Sequence, residues 1–199
     1  MKRTTKKVQE ESDFKLTESD RITLLNLARK TLEEKIRYGK YSVPDTSSFS
    51  DNLKTYCGAF VSLHIEGKLR GCIGHITGDT SLHETTQEMV VSSAIHDPRF
   101  HPVKPDELAD IDIELSVLSP LKKISNLAEI QLGKHGILIK KGRNSGLFLP
   151  QVATETNWNL DEFLGHCSRD KAGLNWDGWK TADIFIFTAD VFGEKKASK

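Results

Sequence analysis

Cysteine is scarce in this sequence: Cys57, Cys72 and Cys167 are widely spaced and form no CxxC pair. An odd, scattered set excludes a disulfide framework, fits a reducing cytoplasm and, with no HExxH motif, gives no ground to expect a bound metal. An excess of charge of either sign is also missing. Lys+Arg and Asp+Glu both number 28, so the formal net charge is zero. That disfavours a broad basic face gripping a nucleic-acid backbone and leaves room only for a local basic cleft. No apolar run reaches the roughly 18 residues of a membrane span. The basic start Met1-Lys2-Arg3-Thr4-Thr5-Lys6-Lys7 is not followed by the apolar stretch of a secretory signal. The expectation is a cytoplasmic globular protein with no membrane partner and no assigned cofactor. What is present, 199 residues with 37% hydrophobic and 28% charged, is enough for one large domain or two small lobes folded by burial alone.

Residues 1–14 mix lysines and acids with almost no apolar periodicity and read as a flexible arm, and 195–199 as a flexible tail. One domain is expected over 15–194. Thr17 and Asp20 resemble a capping box, after which Ile22, Leu25, Ala28, Leu32 and Ile36 recur at helical spacing until Gly39. Ala59–Ile65 alternates, breaks at Glu66-Gly67-Lys68 and resumes over Leu69–Ile76, which predicts a β-hairpin. A helix over about Leu82–Ala94, a half-buried strand over Ile111–Val117 and a short helix near Asn126–Ile130 follow. Gly136–Lys140 and Leu147–Leu149 predict a second hairpin around Gly142–Gly146, Asn159 can cap another helix, and Ile184–Val191 reads as one central strand covered on both faces. Hairpins dominate over crossovers, so the fold class is α+β with a largely antiparallel sheet and flanking helices. The second half loosely echoes the first, which suggests two related lobes.

The hairpin segment Leu69-Arg70-Gly71-Cys72-Ile73-Gly74 is the most informative stretch. A three-residue turn over Glu66–Lys68 pairs Leu63 with Gly71 and Val61 with Ile73 on an apolar face, and His64 with Arg70 and Ser62 with Cys72 on a polar one. A two-residue Glu66-Gly67 turn has better turn chemistry but mixes the faces, so the polarity-segregating register is preferred. That register makes Leu69 a core residue. A thiol beside a guanidinium is a setting for a nucleophilic thiolate, with Arg70 as activator and anion clamp. Gly71 and Gly74 would let a ligand approach the backbone, and His64 would line the same patch. Against this, a lone strand cysteine is commonly a small buried hydrophobe. His96-Asp97-Pro98-Arg99-Phe100-His101 forms a proline-fixed turn in which Asp97 and Arg99 either support a cleft or simply pair. Trp158, Trp176 and Trp179 suit core packing better than base stacking in a neutral chain.

The hexapeptide resembles the signature of the AMMECR-type domain family. The resemblance continues through Asp97-Pro98-Arg99-Phe100, Ile113–Pro120, Gly146–Ala153, Lys171-Ala172-Gly173-Leu174 and Ala189-Asp190-Val191-Phe192. His75 departs from the family's usual threonine and His101 from its usual proline. The resemblance implies two related lobes with the hexapeptide near the cleft between them, and an association with Memo-like and radical S-adenosylmethionine proteins. It supplies no established activity. Two readings follow: an enzyme using Cys72 and Arg70 on a nucleic acid or small acceptor, or a non-catalytic adaptor that binds a partner peptide in the same cleft. Zero net charge and the lack of an aromatic-basic motif weigh against a plain RNA-binding module.

Overall fold

In the computed structural model, which describes residues 14–194, the first helix begins where the capping residues stand. Thr17 Oγ accepts the Asp20 N–H while the Asp20 carboxylate accepts the Thr17 N–H, opening α1 (Glu18–Tyr38), and Gly39 closes it in the left-handed conformation. Of the arm expected over 1–14, residues 1–13 lie outside the described residues, as does the tail over 195–199. The short helix α2 (Asp51–Lys54) is tied to α1 through buried Asp20, whose carboxylate accepts from Ser50 Oγ and Asn52 Nδ2.

Two antiparallel four-stranded sheets carry the rest. The first holds β1 (Ala59–Ile65), β2 (Lys68–His75), β3 (Ile111–Leu118) and β8 (Ala189–Gly193) in the order β2-β1-β3-β8. The second holds β4 (Lys122–Ile124), β5 (Gly136–Lys141), β6 (Asn144–Phe148) and β7 (Asp183–Phe187) in the order β4-β7-β5-β6. Read outward from the hairpin, each sheet runs second hairpin strand, first hairpin strand, next strand, and then a strand from the other half. The halves have therefore exchanged their last strands: β4, which follows β3, completes the second sheet, and β8, which follows β7, completes the first. This is an α+β fold of two related lobes.

Each sheet carries its own core. Val61, Leu63, Ile113 and Leu115 meet Met89, Val90 and Ala94 of α3 (Leu82–Ile95). Ile137, Ile139, Ile184 and Ile186 meet Phe163, Leu164 and Cys167 from α5 (Leu160–His166) and the π turn over Cys167–Lys171. Ser119 N–H donates to the Thr188 carbonyl at 2.9 Å, and Thr188 N–H to Ser119 Oγ at 3.0 Å, stitching together the two points where the chain passes between sheets. Among the described residues no helix is long and apolar enough to cross a membrane.

Several expectations need correction. The apolar run Ile184–Val191 is two strands, because the chain changes sheets at Thr188; β7 is central in its sheet and β8 is an edge. Strand β4 and helix α4 (Pro150–Thr156) are too short for periodicity to announce, and the helix near Asn126–Ile130 is one 3-10 turn over Leu127–Glu129. Both hairpin turns weighed for β1–β2 are partly right. Glu66 and Gly67, at φ 52° and 75°, make a two-residue turn that pairs Ile65 with Lys68 and His64 with Leu69. A β-bulge then absorbs Arg70, after which Leu63 pairs with Gly71, Ser62 with Cys72 and Val61 with Ile73. The bulge lets good turn chemistry coexist with segregated faces. It also puts Leu69 beside the exposed tip at 40% exposure, not in the core.

Candidate functional site

Strand β2 is an edge strand, and an unpaired edge must be satisfied by something other than a neighbour. Here the turn after α3 does it. The Asp97 carboxylate, almost wholly buried, accepts the Cys72 N–H at 2.8 Å, and Arg99 Nη2 donates to the Cys72 carbonyl at 3.1 Å. Asp97 also accepts from Arg99 Nε at 2.9 Å and Nη2 at 2.7 Å. The guanidinium of Arg99 and then the Cys72 amide hold the Asp97 carboxyl well below the ordinary carboxylate range, against the opposing cost of burial. Asp97 holds Arg99 above its ordinary value, and the Cys72 side chain contributes in the same direction. One residue further on, Ser93 Oγ of α3 accepts the Ile73 N–H at 2.8 Å and donates to the Val61 carbonyl at 2.7 Å.

This close helix approach explains Gly71. A Cβ there would sit 2.2 Å from the Ser93 carbonyl oxygen, and the Phe60 ring fills the corresponding space at Gly74. Both glycines admit parts of the protein rather than a ligand.

Cys72 points away from α3, onto the open face of the first sheet. Ser62 Oγ donates to its sulfur at 3.2 Å. Strand pairing puts Glu114 next to Ser62, and Asp112 next to His64, on that face. Cys72, Ser62, His64, Asp112 and Glu114 are all half-buried. Cys57 and Cys167 are enclosed in the two cores, and burial pushes both thiols up to about 12.

Arg70 does not reach the thiol. The bulge turns it to Glu107, in the 3-10 turn over Pro105–Glu107, where Nε meets Oε1 at 2.7 Å and Nη2 meets Oε2 at 3.0 Å. This pairing lowers the Glu107 pKa. The remaining nitrogen, Nη1, is buried without a hydrogen-bond partner. Arg70 lines an open cavity of about 390 Å³ together with Pro98, Arg99, Phe100 and His101. All of these residues belong to the first lobe, so the cavity beside the hexapeptide is not lined from between the lobes. The structure thus gathers Cys72, His64, Arg70, Asp97 and Arg99 at one edge. The sequence reading overlooked Glu107, Ser93, Asp112 and Glu114. For the last two a signal existed, since the polar alternation of β3 needed only its pairing with β1.

The second lobe provides an internal comparison. Its third hairpin pair from the turn, Ile139 with Gly146, matches Leu63 with Gly71, and a Cβ on Gly146 would lie 2.3 Å from the Ala172 amide nitrogen. The glycine that admits helical backbone is therefore common to both lobes. On the opposite face the lobes diverge. The row Cys72–Ser62–Glu114 corresponds to Leu147–Leu138–Phe185, and no bulge stands where Arg70 does.

Among proteins of known sequence, the family model AMMECR1 matches residues 25–192. A protein of Methanosarcina mazei is 39% identical over 189 residues, covering 91% of this chain and 94% of its own length. Protein Mbar_A1807 of Methanosarcina barkeri is 41% identical, with 91% and 93% covered. The crystal structure of the uncharacterized protein PH0010 from Pyrococcus horikoshii superposes with a TM-score of 0.75 at 37% identity, covering 87% of this chain and 90% of that one.

Proposed function

The chain belongs to the AMMECR1 family, and on that premise we propose that it is an enzyme working through the Cys72 edge of its first sheet. One observation carries this reading. Where the second lobe builds the same sheet with Leu147, Leu138 and Phe185, the first has Cys72, Ser62 and Glu114. A polar, half-buried row that the fold does not require has some other use. The chemistry is group transfer through sulfur. Cys72 gives up its proton to solvent, its sulfur bonds the electrophilic carbon of the donor and the leaving group departs with the electron pair; the nucleophile of the acceptor then bonds that carbon, losing its proton to solvent, and the sulfur leaves as thiolate. Ser62 donates to the sulfur, and Arg99 is the cation beside it, a role the sequence reading had given to Arg70. A small molecule or a nucleic acid is the acceptor in this reading, and Memo-like and radical-SAM proteins are its partner classes.

A second reading, the adaptor, is favoured by one specific feature: the hydrogen bond at the Cys72 sulfur comes from a serine and not from a general base. Site-resolved iodoacetamide labelling of the native protein from pH 6 to 9, read by mass spectrometry, separates the two. Thiols at about 12 are ionised at neutral pH to roughly one part in 100,000, so Cys57 and Cys167 label very slowly. Cys72 labels fastest, and Arg99→Met slows it more than Arg70→Met does. If Cys72 is the slowest of the three, or Arg99→Met leaves its rate unchanged, the adaptor reading replaces the enzyme.

A further inference from the structure

We propose that the cavity between Arg70 and the Pro98–His101 turn is an oxyanion site that takes a phosphate monoester. The inference rests on reading the Cys72 edge as the working site, and it names the substrate class.

Each guanidinium is gripped from behind by a carboxylate through Nε and Nη2: Arg70 by Glu107, Arg99 by Asp97. A guanidinium fixed in this way has little freedom left to lose on binding, and its remaining donor direction is set in advance. For Arg70 that donor is Nη1, buried and without a partner. A buried N–H left unsatisfied on a bulged residue is an exception that needs an explanation; Nη1 has no open surface, so an oxygen entering the cavity that Arg70 lines satisfies it only by displacing the groups that cover it.

The lining is suited to an ester rather than to a bare ion. Arg70, Arg99 and His101 bring N–H-bearing side chains to the wall, while Pro98 and Phe100 add apolar ones. Donors spread around a cavity serve the several oxygens of a tetrahedral phosphate better than the single edge of a carboxylate. About 390 Å³ also exceeds what an inorganic ion fills and lies in the range of small-molecule pockets, leaving room for an organic group against Phe100. Because Asp97 and Glu107 already balance the two guanidiniums, recognition here depends on directed donors and not on net charge. A neutral chain can bind an anion in this way without becoming a nucleic-acid-binding surface. Arg99 lines the cavity and donates to the Cys72 carbonyl, so it links a phosphate held there to the Cys72 edge.

The test is a titration followed through the arginine Nε–Hε resonances, with inorganic phosphate, acetate and chloride at matched ionic strength. Phosphate is expected to shift Arg70 and Arg99 saturably, acetate to bind at least several-fold more weakly, and chloride to give no saturation. Arg70→Met should weaken phosphate at least tenfold, and Arg70→Lys by a comparable factor, because an ammonium keeps the charge without the directed donor. Arg143→Met, at the tip of the other hairpin, should change nothing. Should Arg70→Met fail to fold, Arg70→Lys and Arg99→Lys carry the same comparison. Equal responses to phosphate and chloride, tighter binding of acetate, or unchanged phosphate affinity in the arginine variants would overturn the proposal. Cys72 labelling in the same samples separates the two ideas. Fast labelling without phosphate binding removes only the oxyanion site, and phosphate binding with a slow Cys72 removes only the thiol enzyme.

Discussion

Replacing Asp97 by alanine should destabilise the protein far more than an ordinary surface change does. The Asp97 side chain is 1% exposed and accepts one backbone N–H from the edge strand, one from its own turn and two from Arg99. Losing the charged acceptor for the Cys72 amide costs about 1.5–3 kcal/mol. The Arg99 pair adds only about 0.2–1 kcal/mol, because that guanidinium is 54% exposed and water replaces much of the interaction. The sum is about 2–4 kcal/mol. For a chain of this length, with about 2–4 °C lost per kcal/mol, a value near 3 lowers Tm by roughly 6–12 °C. Asp97→Asn keeps the shape and one acceptor and should cost about half as much. The assay is urea unfolding followed by far-UV circular dichroism, since Trp158, Trp176 and Trp179 all lie in the other lobe and tryptophan fluorescence reports on the wrong sheet. Asp45→Ala is the control, an exposed carboxylate that accepts the Ser47 N–H within its own loop. If Asp97→Ala falls within 1 kcal/mol of the parent, or costs no more than Asp45→Ala, the turn does not hold the edge strand and the reasoning fails.

Three further outcomes follow from the same geometry. Gly71→Ala should be severe, above about 3 kcal/mol, because the clash is with helix backbone that no rotamer change relieves; Gly142→Ala, with open space at φ 61°, should cost about 1 kcal/mol, and denaturant midpoints compare them. Asp97 and Glu107 both have lowered pKa values in the fold, so the stability they contribute is complete above the unfolded values near 4 and is lost as pH falls through the folded ones; acid titration should show a decline below about pH 4 that is shallower in Asp97→Asn. Cys72→Leu, which copies Leu147 of the second lobe, should leave stability within about 1 kcal/mol of the parent while abolishing any function of the thiol; a larger loss would make Cys72 a structural residue.

Much of this fold could be read from the sequence because its signals are local. The Thr17 capping box, the Gly39 stop, the hairpins and the helix over Leu82–Ala94 each depend on a few neighbouring residues, and each is found. Two of the failures concern information that is not local. The apolar run from Ile184 contains nothing to mark a change of sheet, since β7 and β8 are separated only by Thr188, whose partner Ser119 lies 69 positions away. The bulge at Arg70 is likewise invisible to period-two alternation, which assumes one residue opposite one. Each candidate turn explained half of the hairpin, and only an extra residue reconciles them.

The candidate site was legible in composition but not in its pairings. Placing Ser62 and Cys72 together needed only the register, and that part of the register is observed. Which arginine touches which group depended on the bulge and on a 3-10 turn 37 positions away, and so Arg70 belongs to Glu107 while Arg99 lies against Cys72. The exchanged-strand architecture supplies what a single sequence otherwise lacks, a control built into the chain. Two sheets with matched registers separate what the fold demands from what it merely permits. Gly71 and Gly146 are demanded, since helix backbone fills the space beside both. The opposite face is less constrained, since Leu147, buried Leu138 and Phe185 complete the same ladder without a polar side chain. A half-buried thiol, a serine and a glutamate on that face, with a bulged arginine at its rim, are not demanded by the ladder, and that is the physical ground for looking for chemistry in the first lobe and not in the second.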